Sequence, residues 1–103
     1  MEISYSQIRD DLKNIRYYYG RKDSFDNLVR TLGEHSIVKV AEKYNEAIKN
    51  APTRLYDLYI SLYLNNHTQE SLAEEWCFCI EHMSRMNCQL VKFFKTQFEK
   101  EEQ

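Results

Sequence analysis

The sequence predicts an all-α fold: a single domain of five or six helices over residues 1–103, with a helix-turn-helix at its C-terminal end. Three observations carry that reading. Two glycines and one proline in 103 residues are too few for the many tight turns of an all-β fold. Apolar residues recur at intervals of three and four, which lines up one face of a helix. Gly20, Gly33 and Pro52 fall between those stripes, where helices stop and start. The apolar content of 43%, against 29% charged residues, suits one modest core rather than a disordered chain.

The elements follow in order. Ile8, Leu12, Ile15 and Tyr19 form a stripe on a helix starting at Ser4 or Ser6, with Gly20 expected at the C′ position, where a positive φ is often required. Asp23 or Ser24 can cap a short second helix bearing Phe25, Leu28, Val29 and Leu32, which Gly33 ends. Ser36 can cap a third, with Ile37, Ala41, Tyr44 and Ile48 on one side. Pro52 suits the first turn of a fourth, "PTRLYDLYISLYL", whose clear polar positions are only Arg54, Asp57 and Ser61. A helix apolar on most of its circumference is central and largely buried. Asn65-Asn66 can take the left-handed conformation that ends it. Thr68 caps a fifth helix, with Glu70 in its first turn and Leu72, Ala73 and Trp76 facing inward. Cys79 stands at the cap position of the last helix, Ile80 to about Phe98, whose apolar side is Met83, Met86, Leu90, Phe93, Phe94 and Phe98. Leu58, Leu62, Leu72, Trp76, Met86 and Leu90 are expected in the core. The tail "EKEEQ" is polar and expected to fray.

Charge narrows the function. The net charge is −2; residues 1–50 hold nine Lys/Arg and eight Asp/Glu, residues 51–103 five and eight. Such a balance opposes tight non-specific binding of nucleic acid. No apolar run nears the roughly 18 residues that span a membrane, and charges throughout Met1 to Tyr19 do not make a signal peptide. The cytoplasm is the expected location. Cys77, Cys79 and Cys88 are then expected as reduced thiols. With His82 they give C-x-C-x2-H-x5-C, which is not a zinc spacing, so no metal or other cofactor is expected. No phosphate-cradling glycine loop and no nucleophile–base arrangement stands out, and catalysis is not expected.

From Leu55 onward, an apolar helix, the polar break "LNNHTQESLAEE", a short turn and a long helix resemble the helix-turn-helix of sigma factor region four. "YLNNHTQESLAEE" stands where that family has G-x-T-x-x-E-I-A-E-x-L. Together with "RYYYGRKDSFDN" and "VAEKYNEAIKNAPTRLYDLYISLY", it makes the chain similar to small phage and prophage transcription regulators of the ArpU and RinA type. The resemblance implies a DNA-reading unit over residues 52–98, preceded by N-terminal helices over 1–50. It implies duplex DNA as the partner, with Glu81, Ser84, Arg85 and Gln89 approaching bases and Lys92 and Lys95 approaching phosphates. It also implies contact with RNA polymerase. The sequence departs from the pattern at three places. Cys77 stands where glycine supplies φ > 0, Cys79 where Ser or Thr caps, and Ile80 where an arginine commonly binds phosphate.

Charge for a DNA reader would have to come from elsewhere. From Thr68 to Phe98 there are three bases against four acids. "IRYYYGRK" interleaves Arg16, Arg21 and Lys22 with tyrosines, which suits phosphate contact and base stacking; alternatively these tyrosines are packing residues. The stripe Ile8, Leu12, Ile15, Tyr19 has near-heptad spacing and either forms a homodimer interface or closes the chain's own core. A second function class uses the same scaffold. Phe78 and Ile80 place apolar side chains at the turn, and Glu70, Glu74 and Glu75 stand on the preceding helix. This surface suits a small phage protein that inhibits a host protein by occupying a basic nucleic-acid channel. RNA polymerase and a defence nuclease such as a CRISPR effector are the candidate targets.

Overall fold

In the computed structural model, which describes residues 3–21 and 36–101, the chain folds into helices around one shared core. The helices are α1 (Tyr5–Gly20), α2 (Ser36–Ala47), α3 (Thr53–Tyr59), α4 (Gln69–Trp76) and α5 (Ile80–Glu101). No strand occurs among the described residues. The expected helix over Phe25 to Leu32, with its caps and Gly33, lies outside the described residues.

Local chemistry accounts for the helix ends. The Ser4 hydroxyl accepts the Gln7 N–H at 3.1 Å and so starts α1. Gly20 is not at C′ as expected. It is the last residue of α1, and Arg21 follows as the cap. Its need is steric: a Cβ there would come within 2.9 Å of Asn66 Oδ1. Pro52 is likewise one residue earlier than expected, at the cap of α3 with φ −56° and ψ 149°. Its carbonyl accepts the Tyr56 N–H.

α3 continues into a wider turn, Ile60–Leu64, in which the Asn65 N–H bonds to the Ile60 carbonyl. Asn66 then takes φ 60°, the left-handed conformation expected of it. Arg16 ties this corner to α1. Its guanidinium donates to the carbonyls of Leu62 and His67 at 3.1 and 3.2 Å and of Asn66 at 3.3 Å, while Asn66 Nδ2 donates to the Arg16 carbonyl at 3.1 Å.

All described helices feed the core. Ile8, Leu12, Ile15, Ala41, Tyr44, Ile48, Leu58, Tyr59, Leu62, Leu72, Met83, Met86, Leu90, Phe94 and Phe98 are buried together. Five of the six residues expected there are buried; Trp76 is half-exposed at the edge. An aromatic stack holds the centre. Tyr44 meets Phe94 and Phe98 edge-on at 4.8 and 4.9 Å, and Tyr59 meets Phe94 at 5.5 Å. Such pairs each contribute about 0.5–1.5 kcal/mol beyond the area they bury. The core hydroxyls are satisfied: Tyr44 donates to Asp11 Oδ2 at 2.7 Å and Tyr59 to Asn45 Oδ1 at 2.6 Å. Burial, then the Asp11 carboxylate, raises the Tyr44 pKa above the ordinary phenol value. Burial raises Tyr59 likewise.

The stripe of α1 is therefore used inside the molecule. Ile8, Leu12 and Ile15 are buried in the chain's own core, and Tyr19 is half-buried with its hydroxyl accepting from Asn45 Nδ2. It is not a free face for a second copy, because α5 and the turn after α3 already cover it. No described helix is long and apolar enough to cross a membrane.

Candidate nucleic-acid interface

α4 and α5 are joined by the three-residue turn Cys77–Cys79. The turn keeps the geometry that glycine usually supplies. Cys77 takes φ 60° and ψ 40°. The Phe78 N–H bonds to the Ala73 carbonyl at 2.8 Å and the Cys77 N–H to the Glu74 carbonyl at 3.3 Å. These two bonds close α4 as a Schellman motif. Cys79 sits at the cap position of α5, with its carbonyl accepting the Met83 N–H. Thr68 caps α4 as expected, its hydroxyl accepting from the Ser71 N–H at 3.0 Å.

This turn aims one side of α5 outward. Glu81, Arg85, Cys88 and Lys92 recur at helical spacing and share one line, with Ser84 and Gln89 flanking it; all six are exposed. From His82 to Phe98 the chain has no acid, while Arg85, Lys92 and Lys95 supply positive charge. Five of the six expected DNA-contacting residues therefore share this surface. Lys95 is diverted: its ammonium donates to the Ile3 carbonyl at 3.3 Å, pairs with Glu99 at 3.4 Å and lies 5.4 Å from the Tyr5 ring centre.

The apolar residues at the turn are less free than their sequence suggests. Phe78 is half-buried, with the Arg54 guanidinium 5.2 Å from its ring centre and the His82 ring at 4.6 Å. Arg54 also covers Trp76 at 5.4 Å, a stacking arrangement guanidinium favours. Ile80 stays 40% exposed. It borders an open cleft of about 380 Å³ with Arg16, Tyr63 and Glu70. Glu70, Glu74 and Glu75 are exposed on α4.

The basic segment of α1 divides. Arg16 is committed to the three carbonyls above, not to solvent. Arg21 stacks 5.1 Å from the Tyr17 ring centre, and both are exposed. Lys22 lies outside the described residues. Tyr63, between α1 and α5, donates to Asn87 Oδ1. Burial raises its pKa, while the Asn87 bond and then the positive charges of Arg16 and Arg9 oppose the rise. Arg9 is a residue that motif reasoning missed. Its signal was its spacing with Lys13 and Arg16 at i, i+4 and i+7.

No protein family, curated protein or solved structure matches this chain, so the reading of the surface rests on its own geometry.

Proposed function

We propose that the chain is a phage-type transcription regulator that binds duplex DNA with the outward face of α5, weakly on its own. The observation that supports this most is the acid-free run from His82 to Phe98, carried on a helix held behind a three-residue turn, with Arg85, Gln89 and Lys92 exposed. A helix presented this way fits the roughly 12 Å major groove. Arg85 can take guanine bidentately, Glu81 can accept from cytosine N4, and Lys92 meets phosphate. With few cations on α5, affinity is low and depends steeply on salt. RNA polymerase is the partner that would add contacts.

Titration of labelled duplexes at low salt tests this. Lys92→Ala weakens all sequences alike, whereas Arg85→Ala blurs discrimination at one base position by about 1–3 kcal/mol. Absence of binding at high protein concentration and low salt refutes the reading.

Exposed Ile80 beside the exposed acids of α4 favours one rival, the inhibition of a host nucleic-acid-binding protein through its basic channel. That reading requires purified RNA polymerase or a CRISPR-type nuclease to bind the chain after nuclease treatment, and Ile80→Asp to abolish the complex.

A further inference from the structure

We infer that Arg9 and Lys13 of α1 form a second row of phosphate contacts alongside α5, so that two helices together grip the backbone of duplex DNA. The inference rests on the DNA-binding reading of α5.

α1 and α5 pack antiparallel. The start of α1 lies against the far part of α5, where Lys95 meets the Ile3 carbonyl and the Tyr5 ring. The end of α1 lies near the beginning of α5, where Arg16 and Ile80 border one cleft. Tyr5 and Arg16 thus mark the flank of α1 that borders α5, and Arg9 lies between them on that flank.

Arg9, Lys13 and Arg16 share a flank of α1 with Tyr5. Arg16 is consumed by backbone carbonyls, but Arg9 and Lys13 are exposed and carry no ion pair among the described residues. Asp11 is on the opposite flank, bonded to Tyr44, and Asp10, about 100° round the helix from Arg9 and about 60° from Lys13, forms no ion pair with either. Along the strip on α5, Glu81 and Glu99 stand at the two ends, and Glu99 is paired to Lys95. The strip between them carries Arg9, Lys13, Arg85 and Lys92.

Packed helices lie roughly 8–10 Å apart. With α5 in a major groove about 12 Å wide, long cationic side chains of a neighbouring helix reach the phosphates bordering that groove. Two rows of cations complement a regular line of phosphates.

The experiment is a titration of labelled duplex DNA by the full chain across a salt series. Four proteins are compared: wild type, Arg9→Ala/Lys13→Ala, the charge-keeping Arg9→Lys/Lys13→Arg, and Lys49→Ala as a distant control. Losing two phosphate contacts lowers the salt slope by about 1.8, and at about 0.1 M salt weakens binding roughly 60-fold. Sequence preference is retained, and the other two variants bind as wild type. Matching thermal melts establish that all four are folded. If wild type binds and the double-alanine variant keeps its slope and affinity, this inference is overturned while the reading of α5 stands. If wild type binds no duplex at low salt, both are overturned.

Discussion

Replacing Cys77 by glycine should stabilise the protein. Cys77 is an exposed residue at φ 60°, so its side chain contributes little packing and pays the left-handed penalty. That penalty is about 1–2 kcal/mol for a residue with a Cβ. Glycine removes it but gives the unfolded chain more freedom, which returns about 0.4–1 kcal/mol. The net gain is roughly 0.5–1 kcal/mol, or about 2–8 °C in midpoint for a domain of this size. Cys77→Ala is the comparison, since it removes the thiol and keeps the strain; its stability should stay within about 0.5 kcal/mol of wild type. Urea and thermal unfolding of the three proteins decide the matter. A glycine variant no more stable than the alanine variant would refute the reasoning, because the turn would then not be storing strain at this residue.

Two further outcomes follow from the core and from the corner at Arg16. The raised pKa values of Tyr44, Tyr59 and Tyr63 mean that the unfolded chain releases these protons first. The stability they contribute is complete below the unfolded value of about 10 and is lost as pH climbs above it towards the folded values, with a slope approaching about 4 kcal/mol per pH unit for three groups. A urea midpoint that does not fall between about pH 9 and pH 11 would contradict this. Arg16→Met leaves the carbonyls of Leu62, Asn66 and His67 without their shared donor. The half-exposed site limits the loss to roughly 1–3 kcal/mol, and amide exchange over residues 60–67 should accelerate before that of α5; unchanged exchange there would remove Arg16 as the clasp.

What could be read directly from the sequence was local. The α1 stripe, the caps at Ser4 and Thr68, and the left-handed Asn66 depend on residues within one or two turns of each other. Cys77 was legible for the same reason: a three-residue turn of this length needs φ > 0 at one position, whichever residue occupies it. Apart from the one-residue shift at Pro52, the misreadings are long-range. Gly20 looked like a helix stop, yet its role is to leave room for Asn66. Trp76 looked like core, yet Arg54 from α3 covers its outer face. Arg16 and Lys95 looked like available cations, yet carbonyls far along the chain accept from them. A side chain's spacing fixes the face it occupies, but only the packed partner decides whether its charge reaches solvent.

The charge balance shows the same limit with the opposite sign. Counted along the chain, Thr68 to Phe98 is slightly acidic, which weighs against a DNA reader. Its acids, however, lie on α4 and at the first turn of α5, while the remainder of α5 has none until Glu99. Antiparallel packing then sets the flank of α1 that carries the exposed Arg9 and Lys13 alongside that acid-free stretch. At physiological salt the screening length is about 8 Å. A phosphate therefore responds to the few cations on the strip it touches, and the net charge of −2 has little bearing on whether that strip binds.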